Sequence, residues 1–447
     1  MIITRVGVFY HSVGFCYNSD MKIAITSDLY YPMTNGVAVF AHNLAKGLAK
    51  QGHEVLVICP SFTGKQHKEK RDGVTTFYLR SIRFPFYPDQ INEVPNGKAI
   101  LGVSLPRLAY RHGLWITVDP YLTMKKVLNK FHPDVIHNQT AEMIAIAARR
   151  YAKKYDVPMV STGHAYPDNI TGQLKLLKPI KRPLDAVLRT YMASFLKHSE
   201  YATMPTEMAI DDLVPKNRKR FDVTVEPLSN GVDLGKFGPK KAPVRIYKKY
   251  HLAKDKPIVL YVGRVDPEKS IGNVVTAFAE VLEKIPEAEL VIVGDGTDRR
   301  HLQDLVQALG IEKSVRFPGR IYPPDIMEVY RTAKVFATAS ETETQGIVLI
   351  EAAATGLPLV AVDAGAVREL CQHKKNGILC QPGDVSEIAD ALTKILKNED
   401  VRERYSKHSL EVAKKHDLNR TLKRFEEIYE EAIILKGKKI PKKRWLR

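Results

Sequence analysis

Two glutamates that could bind hydroxyl groups, Glu343 and Glu351, lie eight residues apart. The strand-like run KVFATAS precedes them, and the helix-like run IVLIEAAATG contains the second one. One carboxylate therefore lies in a loop and the other about a turn inside a helix, on the face leaning toward the helix N-terminus. Such carboxylates can accept hydrogen bonds from sugar hydroxyls, and the N–H groups of Thr344, Gln345 and Gly346 suit a phosphate. The alternative is an acidic pair that only complements the helix dipole, worth about 0.3–1 kcal/mol.

Two cations, Arg264 and Lys269, follow the strand-like run KPIVLYV. Two positive charges this close together are costly unless they meet an anion, and a departing diphosphate is an anion whose charge grows as its glycosyl bond breaks. The alternative is that both are solvated surface charges, the common state of lysine and arginine. Ligands of open α/β sheets bind beyond the carboxyl ends of the strands, so these loops predict one binding site.

The elements that must position these residues alternate between strand and helix. Residues 21–28 and 53–60 are apolar strand patterns, and a helical pattern over 37–52 lies between them. The same pattern recurs around the strands at 134–139 and 157–164, and a second series runs over 256–363. The alternation predicts an α/β fold in which two Rossmann-like domains of parallel sheet face each other across a cleft. A basic stretch with scattered Pro and Gly, roughly 213–250, is expected to be the hinge region.

Length and composition agree with a protein of two domains. The chain has 447 residues, of which 44% are hydrophobic and 26% charged, which exceeds what one core usually supports. The four cysteines, Cys16, Cys59, Cys371 and Cys380, include no Cys-x-x-Cys pair, so a disulfide framework or a zinc ribbon is not expected. No run of apolar residues approaches the length of a membrane-spanning helix.

The charge is unevenly distributed along the chain. Residues 1–250 carry 36 Lys and Arg against 20 Asp and Glu, whereas residues 251–435 carry 25 against 30. The last segment, 436–447, adds seven positive charges, and the chain as a whole has a net charge of +18. This asymmetry predicts an anionic partner for the front half, either a membrane or a nucleic acid.

The motifs taken together resemble the retaining glycosyltransferase family four, of GT-B fold. The resemblance rests on the Glu-x7-Glu pair, on the Gly-Arg-x4-Lys loop before it, and on PLSNGVD at 227–233, VIVGDG at 291–296 and FPGRI at 317–321. It covers about residues 21–435. It implies an acceptor-binding domain over 21–225, a nucleotide-sugar-binding domain over 226–415, and a C-terminal helix over 416–447 that returns to the first domain.

For the donor side, the resemblance implies a role for each residue already named. Glu351 holds the ribose hydroxyls, Glu343 contacts the donor sugar, and Arg264 and Lys269 bind the diphosphate. The loop at Thr344, Gln345 and Gly346 belongs to the same donor site. Glu343, Arg264 and Lys269 are accordingly predicted to be catalytic residues of a hexosyltransferase.

Four further residues come from the resemblance alone. The backbone at Arg320 and Ile321 meets the base, and Gly36 lets the backbone of the first domain approach the donor. His164 corresponds to the acceptor-domain histidine near the donor sugar and is counted among the catalytic residues. The alternatives are an ordinary turn glycine for Gly36 and a buried structural imidazole for His164.

The resemblance also implies that no metal and no other cofactor is required. The sequence contains no Asp-x-Asp triplet, and in this family basic side chains and a helix N-terminus do the work of a metal. The expected reaction proceeds with retention by same-face attack, in which the leaving phosphate takes the proton of the acceptor. No enzymatic nucleophile is predicted.

A basic segment over 172–200 bears on the acceptor. Six basic residues and one acid lie between 175 and 197, and apolar residues follow Pro183 at helical spacing. A cationic amphipathic segment can lie in an anionic membrane surface, whereas the alternative is a helix whose apolar stripe is core. The basic residues are Lys175, Lys178, Lys181, Arg182, Arg189 and Lys197.

Neighbouring motifs resemble those of bacterial diacylglycerol glucosyltransferases. These are HAYPD at 164–168, KLLKP, MPTE at 204–207 and SETETQG at 340–346, and they imply that Asp168 lies near the acceptor. The expected enzyme is peripheral on the inner face of the cell membrane, its basic tail with Trp445 on the same side, and transfers glucose from UDP-glucose to diacylglycerol, giving a glycolipid. The open alternatives for the acceptor are a polyprenyl-linked saccharide, a phosphoinositide or a soluble sugar.

Other classes of protein are disfavoured. A nucleic-acid-binding protein lacks a recognisable binding module, and a dinucleotide oxidoreductase is disfavoured because Arg299 stands where the third glycine after Gly294 and Gly296 would be. Residues 1–20 are expected to be either an extension or the product of a misassigned start, with Met21 as the true first residue. The oligomeric state is not predicted.

Overall fold

The computed structural model describes residues 20–33, 35–83, 99–100, 103–104, 115–164, 181–214 and 221–438. Within these ranges the chain builds two large sheets joined by two crossings. The extension before residue 20 and the tail from 439 onward lie outside the described residues.

The first sheet has eight strands in the order β12-β11-β10-β9-β1-β2-β4-β3. Neighbouring strands are parallel, except that β3 runs antiparallel to β4 at the edge. The strands are β1 Lys22–Thr26, β2 Glu54–Pro60, β3 His67–Arg71, β4 Val74–Leu79, β9 Val135–Asn138, β10 Met159–Thr162, β11 Tyr201–Met204 and β12 Thr224–Pro227. Two short antiparallel pairs add β5 Ser81–Arg83 with β8 Trp115–Thr117, and β6 Ala99–Ile100 with β7 Val103–Ser104.

Helices cover both faces of this sheet. The central strands are apolar and buried, and a parallel sheet of this kind needs a cover on each face. Their apolar residues recur at helical spacing and form three clusters against the strands. The helices are α1 Gly36–Lys50, α2 Pro120–Phe131, α3 Met143–Tyr155, α4 Lys181–Lys197 and α5 Glu207–Leu213.

The second sheet has six parallel strands in the order β15-β14-β13-β16-β17-β18. They are β13 Ile258–Val262, β14 Glu289–Val293, β15 Val315–Gly319, β16 Val335–Thr338, β17 Leu359–Val362 and β18 Gly377–Cys380. The helices of this half are α6 Leu234–Phe237, α7 Val244–Lys249, α8 Ile271–Lys284, α9 Arg299–Ala308, α10 Asp325–Tyr330, α11 Ile347–Ala354, α12 Val367–Leu370, α13 Val385–Lys397 and α14 Glu399–Lys414. Short 3₁₀ turns lie at Pro267–Lys269 and Glu312–Ser314.

The final helix, α15 Leu418–Leu435, returns to the first sheet. Phe425, Ile428 and Tyr429 of α15 are fully buried in the cluster that covers that sheet. Beyond the helix, Lys436 pairs with Glu200 at 2.6 Å. The predicted α/β fold with two Rossmann-like domains and a returning helix is therefore confirmed.

The hinge region differs in detail from the prediction. Its expected range, 213–250, contains a strand of the first sheet, β12, and the chain crosses to the second half only after Pro227. The run TVEP is short and half-buried at the sheet edge, which explains why its apolar pattern did not predict a strand. In the part of the chain that the structure describes, no helix combines the length and apolar character needed to cross a bilayer.

Candidate active site

The site lies where the order of the second sheet reverses. The chain leaves β13 toward β14 on one side, whereas β16 pairs with β13 on the other side. A crevice opens at the carboxyl ends of strands at such a reversal. Arg264 follows β13 and Glu343 follows β16, so the two predicted loops meet in this crevice.

Lys269 and Glu343 form an ion pair with 2.7 Å between Nζ and Oε1. Their side chains are only 12% and 19% exposed, and Lys269 Nζ also donates to Ser340 Oγ at 3.3 Å. Burial alone would raise the pKa of Glu343, but the Lys269 charge and hydrogen bond, the Ser340 hydrogen bond and the Arg264 charge hold it below its ordinary value. Glu343 is therefore a carboxylate, able only to accept hydrogen bonds, at neutral pH.

Arg264 is neutralised by carboxylates within its own loop. Its guanidinium donates to Asp266 and to Glu268, each at 2.5 Å. The two cations therefore meet anions within the protein, since Asp266 and Glu268 pair with Arg264 and Glu343 pairs with Lys269. The alternative of solvated surface charges is wrong, since the side chain of Arg264 is 31% exposed and that of Lys269 12%. An incoming diphosphate has to compete with these carboxylates.

Glu351 lies one turn inside α11 and is partly buried. The hydroxyl of Tyr330 donates a hydrogen bond to Glu351 Oε2 at 2.7 Å. Burial raises the pKa of Glu351 to about 7, although the hydrogen bond from Tyr330 lowers it. The carboxyl group is therefore close to half-ionised at neutral pH.

Helix α11 starts sharply at Gly346. This residue has a φ of +79°, which favours glycine, and a Cβ there would displace the end of the Leu349 side chain, 2.6 Å away. The carbonyl of Thr344, two residues earlier, accepts a hydrogen bond from the Thr206 hydroxyl of the first half at 3.0 Å. The first N–H groups of a helix lack partners within it, so this end can receive a phosphate.

The side chain of Gln345 turns away from the crevice. It is 2% exposed for the whole residue, its Nε2 donates to Ser229 Oγ at 2.7 Å, and its Oε1 accepts from the N–H of Asn230 at 3.1 Å. The predicted donor contact of Gln345 is through its backbone N–H, and the side-chain amide is bound to Ser229 and Asn230 instead.

The remaining donor-side residues lie at the rim of the crevice. Arg320 and Ile321 follow β15, the edge strand of the second sheet, and Ile321 is buried in its core. Gly36 begins α1 of the first half, where a Cβ would lie 3.5 Å from Ile347 Cδ1 of α11. That distance is an ordinary contact, so packing within the protein does not require glycine at this position.

His164 belongs to a buried polar network that the sequence did not predict. Its Nε2 donates to Gln139 Oε1 at 2.8 Å, Gln139 Nε2 donates to His137 Nε2 at 3.0 Å, and His137 Nδ1 lies 2.8 Å from the Tyr429 hydroxyl. Burial lowers the pKa of His164 to about 3, so the imidazole is neutral at physiological pH. A neutral imidazole can donate or accept a hydrogen bond, so His164 is able to position a substrate hydroxyl.

A signal for this network was present in the strand pattern. His137 lies within β9 and Gln139 directly follows it, so both are at the carboxyl end of a central strand, where site residues collect. Tyr330 had no comparable signal, because it lies at the end of α10 and reaches Glu351 of α11 only in the folded chain.

The acceptor-side segment contains the predicted helix, α4, and its apolar stripe is divided. Leu196 and Ala193 are buried in the core, whereas Val187 and Tyr191 are 65% and 44% exposed. One part of the apolar stripe of α4 therefore packs in the core, and another part is exposed to solvent. The Tyr191 hydroxyl also donates to the carbonyl of Ala141, just before α3.

Some predicted acceptor residues cannot be placed. Asp168, Lys175 and Lys178 lie outside the described residues, and Lys181 and Arg182 begin α4 with no description of their side chains. Across the described ranges, no group of three or more His, Cys, Asp or Glu side chains is arranged to hold a metal ion.

Comparisons with known proteins agree with this geometry. The model of Glycosyltransferase Family 4 matches residues 34–236, and the model of Glycosyl transferases group 1 matches residues 245–412. The alpha-monoglucosyldiacylglycerol synthase of Acholeplasma laidlawii is 27% identical over 430 residues, covering 95% of this chain and 100% of the relative. A GDP-mannose-dependent alpha-mannosyltransferase of Mycobacterium tuberculosis is also 27% identical, over 86% of this chain and 90% of its own.

Solved structures show the same architecture. HepE of Anabaena, in complex with UDP-glucose, superposes with a TM-score of 0.66 at 16% identity, covering 91% of this chain and 98% of its own. The two matched models together span both halves of the molecule and the crevice between them. The chain therefore belongs to the family 4 glycosyltransferases and has the GT-B fold.

Proposed function

We propose that the chain transfers glucose from UDP-glucose to diacylglycerol at a membrane surface, forming a glycolipid. The relative from Acholeplasma laidlawii, whose whole length is matched, is named for the formation of such a lipid, and HepE binds UDP-glucose. The observation that carries the proposal is an exposed apolar and basic surface on the first half of the chain, the half that faces the donor crevice.

The donor side of the proposal uses the cluster around Lys269 and Glu343. Arg264 and Lys269 lie where they can meet the negative charge that grows on the diphosphate, and the N-terminus of α11 adds its dipole. Glu343, held as a carboxylate, accepts hydrogen bonds from sugar hydroxyls, and Glu351 does so from the ribose. The leaving phosphate takes the acceptor proton in a same-face reaction, so no residue is assigned as nucleophile.

Glu351 provides a test that depends on pH. The ionised carboxylate accepts stronger hydrogen bonds from the ribose hydroxyls than the neutral acid does. Because the pKa of Glu351 is about 7, UDP-glucose should bind more tightly at about pH 8 than at about pH 6. Titration calorimetry should show this gain in the wild type and not in Glu351→Gln, which should also lose roughly tenfold in affinity. UDP-glucose suits the test because its diphosphate has no ionisation in this range.

The raised pKa of Glu351 also predicts how the free energy of unfolding changes with pH. Because the folded pKa of Glu351 is raised above its ordinary 4.5, the free energy of unfolding falls as the pH rises from there to about 7. Glu351→Gln removes this loss, so at about pH 8 it should unfold no more easily than the wild type. A variant that bound weakly and also unfolded early would indicate a packing role in place of a ligand role.

We propose that the reaction needs no divalent metal ion, because Arg264 and Lys269, once the diphosphate competes with their carboxylate partners, supply positive charge together with the N-terminus of α11. Turnover of UDP-glucose should therefore be unchanged within about twofold by EDTA. Complete loss of turnover in EDTA, restored only by adding a divalent cation, would contradict this part of the proposal.

The acceptor side rests on two neighbouring helices. Met143 and Ile146 of α3 are 44% and 52% exposed, and Val187 and Tyr191 of α4 are 65% and 44% exposed. The hydroxyl of Tyr191 reaches the carbonyl of Ala141, which brings this part of α4 close to the start of α3. We refer to Met143, Ile146, Val187 and Tyr191 as the apolar patch.

Basic residues complement the patch. The last turns of α3 carry four exposed cations, Arg149, Arg150, Lys153 and Lys154. Near an anionic surface each cation contributes about 1 kcal/mol, while the apolar side chains enter the interface. This combination supports a peripheral enzyme bound to the inner face of the cell membrane.

Flotation with liposomes tests the surface. The double variant Val187→Asp/Met143→Asp should lose most of its binding to vesicles containing anionic lipid, because two charges replace apolar side chains in the interface. Val244→Asp is the matched control, since Val244 is 50% exposed on the second half. Equal flotation of both variants, or no flotation of the wild type at low salt, would exclude the patch as a membrane contact.

Product analysis decides among acceptors. UDP-glucose and other nucleotide sugars are offered with a membrane lipid extract, and mass spectrometry should find hexosyl-diacylglycerol. A polyprenyl-linked saccharide, phosphoinositide or soluble sugar as the product would contradict the lipid acceptor and retain the glycosyltransferase. The mannosyltransferase relative shows why GDP-mannose belongs in the donor panel.

A further inference from the structure

The two crossings between the halves of the molecule are bonded to one another. Val232 N–H donates to the carbonyl of His416 at 2.8 Å, and Leu418 N–H donates to the carbonyl of Val232 at 3.0 Å. Gly231, with a φ of +73°, would place a Cβ 2.7 Å from Leu418 Cα, so only glycine permits this approach. We refer to residues 229–232 with 416–418 as the hinge.

Ser229 is the point where the hinge and the donor loop meet. Its Oγ has three neighbours: the N–H of Gly231 at 3.1 Å, Nε2 of Gln345 at 2.7 Å and Nδ1 of His416 at 2.9 Å. A hydroxyl has one proton and two lone pairs. Because the Gly231 and Gln345 groups can only donate, they take both lone pairs, and the Ser229 proton must go to His416 Nδ1.

The orientation of the Gln345 amide follows from a backbone donor. The N–H of Asn230 can only donate, so the amide atom 3.1 Å away must be the oxygen and the nitrogen must face Ser229. Burial lowers the pKa of His416 to about 4, helped by the charges of Lys415 and Arg420. A neutral His416 agrees with the acceptor role assigned to Nδ1.

We propose that Gln345 and Ser229 are positioning residues that tie the donor loop, residues 343–346, to the hinge. Gln345 lies between Glu343, which pairs with Lys269, and Gly346, which starts α11. A movement at the hinge is therefore transmitted to the loop that receives the sugar nucleotide. The inference rests on the donor site of the proposed function and adds to it a link that keeps the geometry of the donor loop matched to that of the hinge.

The kinetic test separates positioning from binding. Gln345→Leu should lower kcat for turnover of UDP-glucose at least tenfold, while the dissociation constant of UDP stays within about twofold of the wild type, because the amide does not touch the donor. Gln303→Leu is the matched control, on an exposed position of α9, and should leave both values unchanged. Ser229→Ala should reproduce the effect of Gln345→Leu, and it replaces that variant if Gln345→Leu fails to fold.

A second readout is independent of activity. In Gln345→Glu the new side chain cannot donate to Ser229, so the Ser229 proton turns to the carboxylate and His416 Nδ1 has to supply the proton of their shared bond. NMR of the His416 ring should show protonation at Nδ1 and a pKa raised by about one unit or more. Gln303→Glu introduces the same change on the surface and should leave His416 as it is.

Three results would overturn the inference. If Gln345→Leu lost UDP affinity and kcat to the same extent, Gln345 would be a donor ligand. If neither value changed, the hydrogen bonds between Gln345 and the hinge would have no role in catalysis. An unmoved His416 in Gln345→Glu would disprove the hydrogen-bond chain itself. If the wild type binds no UDP, the proposed function fails, whereas the His416 readout still decides whether the tie exists.

Discussion

Replacing Lys269 by alanine should lower kcat for hexose transfer at least a hundredfold. Lys269 pairs with Glu343 at 2.7 Å, in the loop that leads into α11, so it is placed to stabilise the charge that develops on the diphosphate. Removing one such preorganised group typically costs about a hundred- to a thousandfold in kcat. Steady-state kinetics with UDP-glucose measures the loss, and titration with UDP should show weaker binding as well.

The control for this variant is a lysine in a surface ion pair. Lys284 pairs with Asp390 at 2.8 Å, with side chains 43% and 74% exposed, and such exposed pairs contribute about 0–1 kcal/mol. Lys284→Ala should leave kcat unchanged. A Lys269→Ala enzyme within threefold of wild-type kcat would mean that Lys269 serves only to neutralise Glu343.

Stability has to be measured beside activity, because Lys269→Ala leaves the Glu343 carboxylate partly buried without its main partner. Such a loss destabilises the folded state, and thermal unfolding will report it. The double variant Lys269→Met/Glu343→Gln removes both charges, so it should recover stability without recovering turnover. This separates a folding defect from a catalytic one.

The strand and helix pattern predicted the fold well because parallel strands buried on both faces read as continuous apolar runs. The strand at 258–262 lies inside the predicted run and the helix at 347–354 begins where predicted. The predictions were weakest where burial is partial, as at the edge strand Thr224–Pro227. There the apolar signal is too small to separate a strand from a hinge.

The spacing of the site residues correctly predicted which loops they share, but it did not predict their hydrogen-bond and ion-pair partners. Arg264, Lys269 and Glu343 meet because strands β13 and β16 are neighbours. That Asp266 and Glu268 neutralise Arg264 depends on the local 3₁₀ turn, which the sequence pattern does not show. The assignment of charges to partners therefore needed coordinates.

Long-range partners were beyond any sequence argument of this kind. Gln345 meets Ser229, more than a hundred residues earlier, and Tyr429 meets His137, almost three hundred residues earlier. The contact of Tyr429 exists because the last helix returns to the first sheet, and that of Gln345 because the first crossing runs beside the donor loop. A motif assigns Gln345 to the donor loop, and only the fold shows that its side chain leaves that loop.

Replacing Glu343 by glutamine should cripple transfer and leave UDP binding intact. A hydrogen bond to a charged group contributes about 1.5–3 kcal/mol, so loss of the carboxylate should lower kcat/KM for UDP-glucose by roughly ten- to a hundredfold. UDP itself has no sugar to contact Glu343, and its affinity should stay equal or increase, since Lys269 no longer pairs with a carboxylate at 2.7 Å. Calorimetry with UDP and with UDP-glucose distinguishes the two effects, and Glu343→Ala should behave in the same direction.

The comparison of the two ligands is what makes this prediction specific to a sugar contact. If UDP and UDP-glucose lose the same affinity, Glu343 acts only by holding Lys269 in place, and its assignment to the donor sugar is wrong. If turnover is near normal, Glu343 is an acidic residue that complements the dipole of α11 and nothing more. Lys269→Ala should weaken both ligands, so the two variants together assign one residue to the diphosphate and the other to the sugar.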